Sequence, residues 1–204
     1  MCNISTSRKN IARSAAAAFE GTPKVTEFTY DFTDNSVGIL ECANSPVQGV
    51  TSYSTVGLSD FPLMNGDKEY STRLEIVGAC ATRSDKFANA IADAAAHVHH
   101  LRRFCAPGVI FENIVSKYYP ENSTQHLLFV PPFLWEERLK TLELDDKKVA
   151  WLLAVPVTEN ELQYAIENGP AALEDLFVEE QIDIYDIARL SVVGESGKPI
   201  SSPQ

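Results

Sequence analysis

A chain of 204 residues is long enough for one sizeable core or two small ones, and its formal charge of −11 disfavours binding to a phosphate backbone. A hydrophobic content of 45% is that of a globular protein and argues against disorder away from the ends. No apolar run approaches the roughly 20 residues that a bilayer span needs, and residues 1–10 lack the apolar centre of a signal peptide. No membrane association and a cytoplasmic location are therefore expected. Cys2, Cys42, Cys80 and Cys105 are scattered without a CxxC pair, which is neither a metal spacing nor a disulfide framework. Cys42 and Cys80 lie in apolar runs and read as small core residues. The triplet Asn122-Ser123-Thr124 fits a glycosylation acceptor but has no secretory context.

Residues 5–20 predict a helix with Ile11, Ala15 and Phe19 near one face, broken by Gly21-Thr22-Pro23. Four strand candidates follow, at 25–30, 37–43, 50–56 and 70–80. Short turn-rich pieces separate them, which suggests antiparallel neighbours. In the fourth run Arg73 and Glu75 share one sheet face, where a cross-strand ion pair is one reading. Residues 84–104 give the best helix. Phe87, Ile91, Ala94, Val98, Leu101 and Cys105 recur at alternating spacings of four and three, a continuous apolar stripe. Ser84 is the expected N-cap, and Arg102 and Arg103 suit the last turn. The many alanines point to close packing on a sheet.

Residues 109–114 read as a brief extended piece and 126–130 as a strand ending at Pro131-Pro132. Residues 145–148 are charged and expected to be exposed. The run at 149–155 is a strand buried on both faces, and Pro156 is expected to end its pairing. Thr158 and Glu161 then form a capping box. Leu162, Ala165 and Ile166 supply an apolar helix face. Asn168-Gly169-Pro170 closes that helix and opens another over about 170–177, with Leu173, Leu176 and Phe177 inward. Residues 182–193 read as a last strand. The expected fold is a single α+β domain, a mixed and largely antiparallel sheet flanked by helices. Residues 1–24 form an N-terminal helical extension, 25–193 the domain and 194–204 a polar tail.

The chain lacks the phosphate loop, the dinucleotide-binding glycine fingerprint and the nucleophile elbow. Ser52, Ser54 and Ser59 are close in sequence but have no strand–turn–helix context. His97, His99 and His100 fan around a helix instead of sharing one ligand face, so no metal site and no cofactor are expected. A cryptic carboxylate or histidine hydrolase is the alternative to a binding protein. One charge feature stands out. Residues 149–188 hold no Lys or Arg, yet carry Glu159, Glu161, Glu167, Glu174, Asp175, Glu179, Glu180, Asp183 and Asp186. A solvated face and a landing surface for a basic partner are both open readings.

Four segments in this order resemble the suppressor of fused family. They are Tyr53-Ser-Thr-Val-Gly-Leu-Ser-Asp60, Arg73-Leu-Glu-Ile-Val77, Leu128-Phe-Val-Pro-Pro-Phe-Leu-Trp135 and Trp151-Leu-Leu-Ala-Val-Pro-Val-Thr-Glu-Asn-Glu-Leu162. The resemblance covers about residues 25–193. It implies a non-catalytic protein-binding module on a mixed sheet. Animal members look like two-domain proteins that grip a transcription-factor peptide as an added strand. The length here has room for the first domain, so the clamp between domains is not expected. Stand-alone members resemble immunity proteins that bind and neutralise a bacterial toxin, and an acidic chain would suit a basic toxin domain.

The candidate partner-binding residues are Asp60, Arg73, Glu75, Trp135, Glu174, Asp175, Glu179 and Glu180. Gly57 permits an unusual backbone angle after a strand, and Ser59 and Asp60 are able to satisfy turn N–H groups. Trp135 is either core or an anchor in a partner.

Overall fold

The computed structural model describes residues 5–29, 36–82 and 84–200. Helix α1 spans Thr6–Phe19 and is capped by the Ser5 hydroxyl, which accepts the Arg8 N–H at 3.2 Å. Strands β1 (Lys24–Thr29), β2 (Ser36–Ala43) and β3 (Val50–Val56) follow, then a 3₁₀ turn, Leu58–Asp60. A small hairpin pairs β4 (Met64–Asn65) with β5 (Lys68–Glu69). Next come β6 (Thr72–Ala81), α2 (Phe87–His99), β7 (Ile110–Phe111) and β8 (Thr124–Val130). A second 3₁₀ turn, Phe133–Arg138, leads to β9 (Leu142–Glu143) and β10 (Lys148–Thr158). Two helices follow, α3 (Glu159–Asn168) and α4 (Pro170–Glu179). Tyr30, the expected end of the first strand, lies outside the described residues.

The main sheet runs β1-β2-β3-β6-β10-β8-β7, with β9 added beside β10. Its pairings are antiparallel apart from β6 with β10. Alternation of side chains splits the core into two layers. Leu74, Ile76, Leu127, Phe129 and Leu152 face α2. Val77, Leu128, Val130, Leu153 and Val155 face α1, α4 and the second 3₁₀ turn. Helices thus cover both faces of one mixed, largely antiparallel sheet, the expected single α+β domain. The close approach foreseen for α2 is real: a Cβ on Gly78 would lie 2.9 Å from both Ile91 Cδ1 and Phe87 Cε1.

Several local readings change. Helix α2 is shorter than 84–104. Ser84 is buried in a turn two residues before the cap position, which Lys86 occupies without a side-chain cap bond. At the other end Arg102 takes a left-handed conformation (φ 50°), and Leu101 is left exposed. Lys147 is not an exposed charge of the 145–148 segment, because its side chain turns inward and is 9% exposed. On α3, Leu162 and Ala165 are buried but Ile166 is exposed.

Pro156 does not end β10, which continues in register with Leu127 and His126 of β8. The reason is its position beyond Leu153, where pairing with β6 stops. Its carbonyl accepts the Arg189 Nη2–H at 2.9 Å instead of a ladder donor. The ring nitrogen therefore points to a locally unpaired side, where a missing N–H costs nothing.

Residues 182–193 form no ladder strand. Asp183 accepts the Tyr185 N–H and Asp186 the Ala188 N–H, both at 3.0 Å. Such local bonds divert the backbone from extended pairing. The segment is held instead by side chains. Asn122 and Thr124 donate to the Ile187 carbonyl, and Ser123 donates to that of Arg189.

The capping box is present. Thr158 accepts the Glu161 N–H at 3.3 Å and Glu161 accepts the Thr158 N–H at 2.9 Å. Glu161 also takes a bidentate grip from Arg189, at 2.6 and 2.9 Å, with both residues buried. Thr158→Ala should cost about 1 kcal/mol through the lost cap. Arg189→Ala should cost about 3–5 kcal/mol, because it orphans a buried carboxylate. Denaturant midpoints check both, and equal shifts would contradict this ranking.

Candidate functional site

Asp60 and Glu75 come together at the turn that follows β3. Gly57 has φ 103°, the unusual angle its sequence position suggested, and the Arg8 guanidinium lies over it. Glu75 is fully buried. Its carboxylate accepts the backbone N–H groups of Gly57, Leu58 and Ser59 at 3.0, 3.3 and 3.1 Å, plus the Thr55 hydroxyl. Glu75, not Ser59 or Asp60, therefore satisfies the turn. Thr55 itself accepts the Ile76 N–H at 2.8 Å, so its one proton points at Glu75. Burial raises the Glu75 carboxyl above its ordinary value, and the Thr55, Ser59 and turn donors oppose that without cancelling it. Every group that faces it is a donor, the surroundings of an anion. Glu75 is thus an internal anchor and does not lie on a contact surface.

Asp60 is held between Arg8 Nε and Lys147 Nζ, each at 2.6 Å, and joins α1 to the turn before β10. Burial would raise its carboxyl, but hydrogen bonds and charge from Lys147 and Arg8 outweigh that and hold it below its ordinary value. Arg73 pairs with Glu69 at 2.6 Å. The Arg73–Glu75 pair does not form, since Glu75 turns inward. Trp135 is also interior. Its ring packs at a tilt against Phe19 with ring centroids 4.8 Å apart, and its Nε1–H reaches the Ser52 hydroxyl at 3.3 Å. Ser52 and Ser54 are buried as well.

The four remaining candidates sit together on α4 and its C-terminal cap. Asp175 and Glu179 are exposed, and Glu174 and Glu180 are half-buried. Among the described residues Glu174, Asp175 and Glu179 have no salt bridge. Burial and the neighbouring Asp175 raise the Glu174 carboxyl. Glu179 and Glu180 occupy the helix C-terminus, where negative charge opposes the dipole. They gain nothing there from helix stability.

Beside α4 lies an apolar groove of about 250 Å³. The sheet contributes Leu128, Val130 and Val155 to it, α4 contributes Phe177 and Val178, and Ile182 and Ile184 lie beyond. Phe133 and Val178 are 56% and 79% exposed at its margin, and among the described residues Glu174 is its one charged lining residue. Sequence reasoning chose Trp135 from the Pro-Pro-Phe-Leu-Trp run and missed Phe133. The available signal was spacing: two residues apart in a tight turn, the two aromatics need not share a side.

Nucleophile and metal chemistry find little support in these positions. Burial pushes the Cys42, Cys80 and Cys105 thiols up, away from the reactive thiolate. His126 accepts the Asn113 N–H on Nδ1 at 2.9 Å, so its proton sits on Nε2, which meets Glu159 at 3.1 Å. Among the described residues no three His, Cys, Asp or Glu side chains cluster to hold a metal, and no helix is long and apolar enough to cross a membrane.

Two substitutions probe the turn. Glu75→Gln should cost about 3 kcal/mol, because the amide NH₂ would face donors in a buried site. An unchanged denaturant midpoint at neutral pH would mean the site holds a neutral acid. Asp60 has a depressed carboxyl, so its contribution is present above the ordinary value near 3.8 and is lost as pH falls through the folded value. Asp60→Asn should lower the melting temperature at neutral pH, and the gap from the parent should close in acid. A gap that does not vary with pH would contradict the ion pairs.

The model for the family Suppressor of fused protein (SUFU) matches residues 33–190. Immunity protein YqcF of Bacillus subtilis (strain 168) is 45% identical over 190 residues, 93% of this chain and 99% of the relative. A suppressor of fused homologue from Neisseria gonorrhoeae superposes with a TM-score of 0.70 at 17% identity, over 93% of this chain and 98% of that one. A chain of the Sufu–Fu complex gives a TM-score of 0.65 at 12% identity, covering 91% of each chain. Drosophila Suppressor of Fused gives 0.61 at 14%, over 89% of this chain and 50% of its own. The structural likenesses agree on the fold, the family match covers most of the chain, and this chain belongs to the suppressor of fused family.

Proposed function

We propose that this chain is a non-catalytic, cytoplasmic binding protein of the immunity type, which neutralises a protein partner by occupying it. The observation that carries this reading is the 45% identity to an immunity protein across nearly the full length of both chains. The partner is a basic protein, such as a toxin domain, and it meets the surface of α4. The carboxylates of Glu174, Asp175, Glu179 and Glu180 support this choice of surface, since the free helix gives no reason for two of them. Such a surface speeds encounter more than it deepens affinity. Glu75 and Trp135, being buried, act only by holding the scaffold. Asp60 and Arg73 are ion-paired within the chain, and α4 is the better surface.

The test begins with capture of the partner from the native source and its expression in a host, alone and with this chain. Rescue of growth by this chain is the expected result. Association is then followed against salt for the parent and for a variant with Glu174, Asp175, Glu179 and Glu180 changed to Lys. The reversal should leave folding intact, because a positive charge suits a helix C-terminus. Raising salt should slow association about tenfold or more for the parent and far less for the variant, with smaller changes in dissociation. A rate indifferent to both would remove the α4 surface. Substrate turnover by the pure protein would overturn the non-catalytic reading.

A further inference from the structure

Charge alone leaves the groove beside α4 unexplained. Steering needs carboxylates, yet Val178 stands 79% exposed one turn along α4 from Asp175 and Glu174. Phe133 stands 56% exposed across the groove margin. Neither residue adds charge, and burying either inside this chain would be favourable. An exposed apolar patch with a charged rim marks an interaction site more often than a structural accident.

The groove's chemistry narrows its occupant. Its volume, about 250 Å³, falls below the range of about 300–1,000 Å³ typical of small-molecule sites. Such sites also aim several polar groups at their ligand, whereas among the described residues Glu174 is the only charged or hydrogen-bonding side chain lining this one. The space suits one or two large apolar side chains. The rim suits cations, because Glu174, Asp175 and Glu179 have no salt bridge among the described residues. The raised Glu174 carboxyl agrees, since a cation beside it would relieve its burial and the repulsion of Asp175.

We infer that the groove receives a large apolar side chain from a basic segment of the partner, while the α4 carboxylates bind the Lys or Arg residues that flank this anchor. The inference rests on the proposed binding function and adds to it the place and chemistry of the hot spot. Apolar anchors seated in a desolvated pocket carry most of the energy of many interfaces, and a charged rim adds orientation. The sheet residues Leu128, Val130 and Val155 are already buried, so the floor is formed before binding and little ordering entropy opposes it.

The test uses the full chain and short synthetic peptides, read by methyl NMR. One peptide has a central phenylalanine between Lys and Arg flanks. A second replaces the phenylalanine with serine, and a third replaces the flanks with Glu. The first should shift the methyls of Val130, Val155, Val178 and Ile184. The serine peptide should bind about tenfold more weakly or worse, and the acidic one should leave those methyls unmoved. Val178→Asp separates the two contributions. It adds negative charge to the rim, so electrostatics alone would strengthen binding, whereas loss of the anchor contact should weaken it about tenfold. Its exposure spares the core, so only a small drop in melting temperature is expected, from one more negative charge at the helix C-terminus.

Equal binding of the phenylalanine and serine peptides, shifts confined to other surfaces, or no shifts at all would overturn the inference. So would methyl shifts that move with protein concentration alone, since a second copy of the chain would then fill the groove. The growth assay keeps the two claims apart. Rescue by the parent with no groove binding removes the anchor and leaves the immunity reading. Groove binding without rescue of growth does the reverse.

Discussion

The C-terminal third of the molecule depends on one buried carboxylate. Glu161 closes the cap of α3, accepts the Val192 N–H at 3.1 Å and holds Arg189 by two bonds. Arg189 also reaches the Pro156 carbonyl and lies over the Phe177 ring, 5.0 Å from its centroid. One ion pair thus ties β10, α3, α4 and the irregular segment after α4 to a single point. A charge placed at such depth is tolerable only because its hydrogen bonds are nearly complete. Without the pair, the 182–193 segment would keep its side-chain bonds to Asn122, Ser123 and Thr124 and lose its inner anchor.

Glu75 repeats the arrangement toward the start of β10, where it pairs in register with Trp151. There the donors are backbone N–H groups of a turn that Gly57 alone makes possible, and Asp60 fastens the same turn to α1 and Lys147 from outside. The two buried acids share a logic. Each sits where loop backbone would otherwise be buried without partners, and each spends its oxygens on that backbone. Carboxylates saturated in this way are poorly placed to move protons, so the buried acids of this acidic chain are better read as struts. Glu174, Asp175 and Glu179 of α4 differ, since among the described residues they form no salt bridge.

The periodic parts of the fold were legible in the sequence. β3 and the inward faces of α1 and α4 follow from alternation and helical spacing, and the capping box from Thr158 and Glu161 alone. What failed was everything set by distant partners. Pro156 reads as a strand end until β6 is known to stop beside Leu153. Glu75 reads as a surface charge until the turn at 57–59 is folded over it. Arg189 lies 28 residues from Glu161, and no local pattern announces their pairing. The 182–193 segment was a different kind of failure, because Asp183 and Asp186 were visible turn formers outweighed by an apolar pattern. At the candidate site, charge was legible and shape was not. The lack of Lys and Arg through residues 149–188 pointed to α4, while the groove beside it needed β8, β10 and Phe133 in place.

The position of Phe177 connects the scaffold to the surface. One side of its ring meets the Arg189 guanidinium, and the same residue lines the apolar groove. The clamp that fastens the C-terminal segment therefore also steadies a wall of the candidate site. Acidic residues at the end of α4 cost about 0.3–1 kcal/mol each against the helix dipole. A buried, fully bonded pair resists loss by about 3–5 kcal/mol. The margin lets α4 carry charge where its own stability gains nothing, without loosening the helix that displays it. The α4 face is thus stiff beneath and repulsive above, and the repulsion would fall if the proposed basic partner settled on it.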